Sequence, residues 1–194
     1  LPNVTYFLRV SAMDFGVRPE GLYSESLESV LSSIISTATL ADIPIEQFFV
    51  SSNVSVSSAT FSWSPNFNPN GTLYSAEFST NSGFVGAVTT SNTYVLDATT
   101  LTLRPNTTYF YRVRAVNYQR LQSGYSAILS TPTRAVAPTT VSFGVFSTSV
   151  TITLSLNPNP VNTTIVISTR SFAVSASSQT STLNYLTLNN LVPN

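Results

Sequence analysis

The sequence predicts an all-β protein built from tandem β-sandwich units, and three observations predict it. Apolar and polar residues alternate with period two over residues 55–63 and 73–78, as in strands that bury one face. Dense turn clusters, Asn66-Phe-Asn-Pro-Asn-Gly71 and Asn157-Pro-Asn-Pro-Val-Asn162, interrupt such runs. The stretch 103–117, a turn followed by a strand, has a near copy in residues 1–12, and its first part returns in residues 191–194.

In chain order, residues 1–13 alternate, with Tyr6, Leu8, Val10 and Ala12 on one face, and 14–21 form a turn-rich loop. Residues 24–35 break the alternation. Leu27, Val30, Leu31, Ile34 and Ile35 stand at helical spacings, and Glu25 and Glu28 lie where a helix dipole favours acid. Two readings stand side by side: a short helix near 24–33, or a loop leading into a strand at about 33–40. Leu40-Ala-Asp-Ile-Pro44 is a joint. Residues 47–50 suit a first strand and 55–63 a second, with an irregularity at Ser57-Ser58. Residues 73–78 make a third, with Tyr74, Ala76 and Phe78 on one face, and 94–103 read as another. After the 103–117 motif come a loop at 119–124, a strand at 125–133 and a second Pro-containing joint at 134–138. The pattern then restarts. Residues 141–145, 150–154 and 157–162 repeat 47–50, 59–63 and 66–71; 164–169 is a Val/Ile-rich strand, and 183–191 leads to the last Pro-Asn.

Spacing supports the repeat. Pro2, Pro105 and Pro193 stand 103 and 88 residues apart, and Pro44 and Pro138 stand 94 apart. The first unit carries nine extra residues, which fall where the helix-like stretch lies. A period of roughly 90–100 residues with about seven short strands is the size of a sandwich domain.

At Leu103-x-Pro-x-Thr-x-Tyr109, followed by Tyr111-Arg-Val-Arg-Ala-Val-Asn117 and Gly124-Tyr-Ser126, the chain resembles fibronectin type III domains, which are immunoglobulin-like β-sandwiches. The resemblance implies strands F and G for this stretch, a core tryptophan on strand B at Trp63, an aromatic on strand C at Tyr74, and the leucine before the turn at Leu103. It divides the chain into residues 1–43 (strands F–G of one domain), 44–137 (a complete domain) and 138–194 (strands A–E of a third, with Leu154 in place of the tryptophan). Physically, the Tyr109 ring fills the core while its hydroxyl bonds backbone at the corner between sheets. Tyr6 is expected to do the same in the first unit. A fold of this kind implies no activity by itself.

Charged residues make up 8% of the chain, against about 25% in a typical soluble domain. Eight Arg balance eight acidic residues, and there is no Lys, so nothing marks a nucleic-acid or anionic-membrane partner. With no Cys and no His, disulfides, Cys/His metal sites and His- or Cys-based catalytic dyads are excluded. No apolar run approaches the roughly 18 residues needed to span a bilayer. Asp14, Glu20, Glu25 and Glu28 match no calcium-loop spacing. No cofactor and no enzyme activity is expected. Asn3, Asn53, Asn70, Asn106 and Asn162 lie in Asn-x-Ser/Thr acceptor triplets, all in turns or joints. Arg112 and Arg114 alternate on strand F, as a solvated face or as a binding ridge.

These features point to a non-catalytic, glycosylated, extracellular structural protein: a repeat of a fibre, stalk or surface appendage. Its partners would be copies of itself head-to-tail or neighbouring repeats of a longer chain. The alternative is an adhesion or ligand-binding module (a receptor ectodomain, or the spacer of a carbohydrate-active enzyme) using loops 66–71, 81–87 and 119–124.

Overall fold

The computed structural model describes residues 1–14, 27–46, 53–168 and 178–189. Its regular elements are antiparallel strands, grouped in three successive units.

The central unit is a two-sheet sandwich. One sheet has the order β5 (Ile45–Glu46), β6 (Ala59–Ser64), β9 (Asp97–Thr100). The other has the order β11 (Leu129–Pro132), β10 (Thr108–Val116), β7 (Leu73–Ser79), β8 (Val88–Thr93). The period-two pattern of β6 puts Ala59, Phe61 and Trp63 inside. Tyr74, Ala76 and Phe78 of β7 and Tyr111, Val113 and Ala115 of β10 face them. The rings interlock, with Phe61 stacked on Tyr111 at 5.6 Å and Phe78 edge-on to Tyr111 at 4.9 Å. Each large side chain buried this way contributes roughly 1.5–3 kcal/mol before entropic costs. Burial also pushes the Tyr111 hydroxyl far above its ordinary pKa, so it stays protonated.

The first unit pairs β1 (Thr5–Leu8) with β4 (Ile35–Ala38), and β2 (Met13–Asp14) with β3 (Leu27–Glu28). Its register copies the central unit: Thr5 lies opposite Ala38 and Leu8 opposite Ile35, as Thr108 lies opposite Pro132 and Tyr111 opposite Leu129. Beyond these ladders, serine hydroxyls replace regular pairing identically in both units. Val10 N–H donates to Ser32 Oγ and Ala12 N–H to Ser29 Oγ, while Ser32 and Ser29 N–H donate back to the Val10 and Ala12 carbonyls. Val113, Ala115, Ser126 and Ser123 make the same four bonds. This bonding decides the ambiguous stretch. Residues 27–33 are not helical, because Ser29 and Ser32 bond across to the neighbouring strand; the strand reading holds at Ile35–Ala38, and 24–26 lie outside the described residues. The match on both sides places the nine extra residues between 14 and 29, earlier than the helical spacing suggested.

The third unit has β12 (Thr139–Val145), β13 (Val150–Ser155) and β16 (Tyr185–Leu188) in one sheet, and β14 (Ile165–Ser168) with β15 (Ser178–Ser181) in the other. Its β13–β16 ladder repeats β6–β9 down to a threonine pair: Thr151 and Thr187 hydroxyls lie 2.8 Å apart, as do Thr60 and Thr99. Leu154 occupies the place of Trp63 and is buried.

Two strand predictions shift, and one strand lies where none is predicted. Residues 94–96 form a bend, so the strand predicted over 94–103 is only Asp97–Thr100. The polar strand Val88–Thr93 carries no apolar alternation in the sequence. The strand predicted over 125–133 begins at Leu129, because Ser126 uses its hydroxyl on strand β10. The predicted strand at 47–50 and the chain end at 190–194 lie outside the described residues.

Candidate functional site: a repeated interdomain joint

The polar side chains that hold one unit to the next gather at two places, and the two use equivalent residues. In the first joint, Asn3 sits in the left-handed region at φ 47°, which asparagine tolerates better than other non-glycine residues. That conformation turns its amide toward the central unit. Asn3 is fully buried; Nδ2 donates to Thr72 Oγ1 at 2.8 Å, and Oδ1 accepts the Tyr118 N–H at 2.9 Å. Its N–H donates to the Leu40 carbonyl at 3.0 Å. Asn68 clamps the linker from the other side, accepting the Asp42 N–H and donating to the Asp42 carbonyl, both at 2.8 Å. Asn117 Nδ2 adds a bond to the Thr39 carbonyl at 3.1 Å.

In the second joint, Asn106 takes the same conformation at φ 45°. Its Nδ2 donates to Thr163 Oγ1 at 3.0 Å, and its N–H donates to the Arg134 carbonyl. Asn159 accepts the Val136 N–H at 2.8 Å and donates to the Val136 carbonyl at 2.7 Å. Thr39 and Thr133 each bridge the turn on their own side, to Leu1 and Arg104 carbonyls. Thr72 and Thr163 each donate to a proline carbonyl three residues earlier at 2.7 Å. The preceding positive-φ positions are Gly71 and Asn162, at φ 86° and 67°. Buried, mutually satisfied polar groups of this kind fix an orientation, because an unmade bond there costs about 1–3 kcal/mol. One bond differs: Asn106 Oδ1 has no partner among the described residues, whereas its counterpart on Asn3 holds Tyr118.

The residues singled out from sequence fall into place unevenly. Trp63 and Tyr74 are buried in the core, with Leu103 and Tyr109 packed against it. The Arg104 N–H donates to the Tyr109 hydroxyl at 3.0 Å, closing the corner. Tyr6 does not do the same among the described residues: it is 45% exposed and makes no such bond there. Of the five acceptor asparagines, Asn53, Asn70 and Asn162 are exposed, while the side-chain amides of Asn3 and Asn106 each donate a hydrogen bond within a joint.

Arg112 and Arg114 form no open ridge. Arg112 lies between the rings of Phe84 and Tyr125, at 4.0 and 3.7 Å, and pairs with Glu77 at 2.7 Å. Burial raises the Glu77 pKa, but the Tyr125 hydroxyl at 2.5 Å and the two arginines outweigh it and hold the carboxyl below its usual value. Glu28 accepts the Ser11 hydroxyl; Glu20 and Glu25 lie outside the described residues. Two of the three loops considered for ligand binding are engaged at the first joint, through Asn66 and Asn68 and through Gln119, whose Oε1 accepts the Thr37 hydroxyl at 3.3 Å.

The joint asparagines look in sequence only like glycan acceptors. The signal that could have revealed them is their repetition together with a Thr in the next unit's turn cluster.

No protein-family profile and no curated protein matches the chain. Solved structures do. A two-domain fibronectin type III segment from chicken tenascin superposes with a TM-score of 0.51 at 16% identity, over 78% of this chain and 85% of that one. The fibronectin type III domain of human fibronectin type III domain containing protein 3 superposes at 0.41 with 20% identity, over 48% of this chain and 86% of that one. The chain therefore has the fold of tandem fibronectin type III domains.

Proposed function

We propose that this is a non-catalytic structural protein whose β-sandwich units stack through a fixed joint into a rod, as part of an extracellular fibre, stalk or surface appendage. The observation that carries the reading is the repetition of the joint. Asn3 with Thr72 and Asn68 with Asp42 recur as Asn106 with Thr163 and Asn159 with Val136. A flexible spacer between binding modules has no use for the same hydrogen bonds twice, whereas a rod needs one angle repeated. Its partners are further units of the same kind, in copies of itself or in neighbouring repeats. The sparse charge suits a surface made soluble by Ser, Thr, Asn and sugar, with Asn53, Asn70 and Asn162 the accessible acceptors. The ligand-binding alternative is weaker, because loops 66–71 and 119–124 contribute to a joint.

Electron microscopy of single particles tests the proposal. Straight particles with one inter-unit angle support it, and particles with freely varying angles refute it. Site mapping by mass spectrometry after expression in a glycosylating host tests the sugar assignment. Occupancy at Asn53, Asn70 or Asn162 agrees with it, and folded protein carrying sugar at Asn3 or Asn106 contradicts it.

A further inference from the structure

The turn that carries Thr72 into the first joint holds a reactive pair that the second joint does not copy. The Thr72 N–H donates to the Pro69 carbonyl at 3.2 Å, which puts Asn70 and Gly71 at the two central positions of the turn. Gly71 stands at φ 86°, the conformation of the second central residue of a type II turn, which glycine adopts at no steric cost. Both residues are exposed. Neither the Asn70 carboxamide nor the Gly71 N–H has a hydrogen-bond partner among the described residues. The side of Gly71 where a β-carbon would stand is open, with the Tyr118 hydroxyl 4.0 Å away.

Asn-Gly occurs once in the chain. The glycine matters because the nitrogen that can attack a carboxamide belongs to the next residue, and a β-carbon there crowds the approach. Asn81, followed by the small Ser82, spends its Oδ1 on the Gly83 N–H at 2.7 Å. At the second joint Val161 and Asn162 stand in the places of Asn70 and Gly71, in the turn closed by the Thr163 N–H and the Pro160 carbonyl. The valine has no carboxamide, and Asn162 is followed by the β-branched Thr163, which is buried.

We propose that Asn70-Gly71 is a site of spontaneous deamidation, and that its conversion loosens the first joint and leaves the second intact. Water is the sole co-reactant. The Gly71 amide gives up its proton to water and its nitrogen attacks Asn70 Cγ; the Cγ–Nδ2 bond breaks, and ammonia leaves behind a five-membered imide. A water molecule then opens the ring. Attack at Cγ gives aspartate; attack at the main-chain carbonyl carbon gives isoaspartate, whose main chain runs through Cβ and Cγ. Isoaspartate lengthens the chain between Pro69 and Thr72 by one methylene. The Thr72 hydroxyl, which donates to the Pro69 carbonyl at 2.7 Å, is then carried away from Asn3 Nδ2, now 2.8 Å from it. Conversion also removes the nitrogen to which a glycan would attach, so sugar and deamidation at Asn70 are alternatives. The chemical step stands on the turn alone; its effect on the joint rests on the stacking proposed above.

The test incubates the full chain, made in a host that adds no N-linked sugar, in mildly alkaline buffer. Peptide mapping by mass spectrometry follows the amide-to-acid mass change, and isoaspartyl methyltransferase labels the isoaspartate. Asn70 is expected to convert first among the asparagines, mainly to isoaspartate, and Asn70→Gln should abolish labelling of that peptide. In converted chains the Asp42 amide, clamped at the first joint, should exchange with solvent about fivefold faster, the effect of one lost hydrogen bond. Its counterpart Val136, clamped at the second joint, should not change. If Asn70 keeps its amide while other asparagines convert, the site is overturned. If Asp42 exchange is unchanged in converted chains, or rises together with that of Val136, the effect on the joint is overturned. Failure of the stacking reading is distinguishable: it shows as freely varying inter-unit angles in fresh, unconverted protein.

Discussion

Replacing Asn3 by Ala removes two side-chain hydrogen bonds, to Thr72 and from Tyr118, and leaves a β-carbon in a left-handed conformation. Each bond contributes about 1 kcal/mol net, and alanine in that region of φ costs about 1 kcal/mol more than asparagine. The joint should weaken by about 3 kcal/mol, a rise of roughly 100-fold in its opening equilibrium. The reporter is the Asp42 amide, which donates to Asn68 and touches none of the deleted atoms. If the joint opens as one unit, Asp42 exchange with solvent, followed by NMR, accelerates by that factor in Asn3→Ala. The Val113 amide, deep in the central sandwich, should not change. Asn3→Asp, which keeps the oxygen that accepts from Tyr118, should fall between the two. Asp42 exchange within twofold of wild type in Asn3→Ala would show instead that the bonds around Asn3 are independent of the linker clamp.

Three further outcomes follow. Tyr109→Phe removes the acceptor for the Arg104 N–H and should lower central-unit stability by about 1 kcal/mol, read from urea unfolding. Trp63→Leu, which installs the third unit's residue in a core shaped around an indole, should cost about 3 kcal/mol through the cavity it leaves, in the same assay. The lowered pKa of Glu77 means that the unfolded state binds the proton more readily. The resulting stability is complete above the unfolded carboxyl value of about 4.3 and fades as pH falls through the lower folded value. Glu77→Gln should abolish that share of the acid dependence, seen in denaturation midpoints across the acid range.

The parts of the fold that could be read from sequence are those where burial imposes a period. Strands β6 and β10 bury mainly alternate residues, and β7, covered on both faces, still alternates apolar with polar side chains, so all three announce themselves. Strand β8 reads Val-Thr-Thr-Ser-Asn-Thr and lies at a sheet edge with none of its residues buried, so no hydrophobic period marks it. Tyr94, Val95 and Leu96 look like strand residues yet stand exposed in a bend. Apolar content misleads where tertiary structure supplies no cover. The helical spacing around Leu27–Ile35 failed because Ser29 and Ser32 compete for the backbone with their hydroxyls. The joint was hidden for another reason. Its residues are ordinary turn formers, and their meaning lies in pairs such as Asn3 with Thr72, 69 positions apart. Only a second copy of the same pairing distinguishes such a clamp from generic turn chemistry.

Pulsed electron-spin distance measurements on the monomer show whether one fixed joint is used twice. Labels at Ser36→Cys and Thr90→Cys span the first joint, and labels at Thr90→Cys and Thr180→Cys span the second; all three positions are exposed. Each pair should give a single narrow distance, with the Ser36–Thr90 distribution broadened by Asn3→Ala. Broad distributions in the wild-type background, insensitive to Asn3, would contradict it.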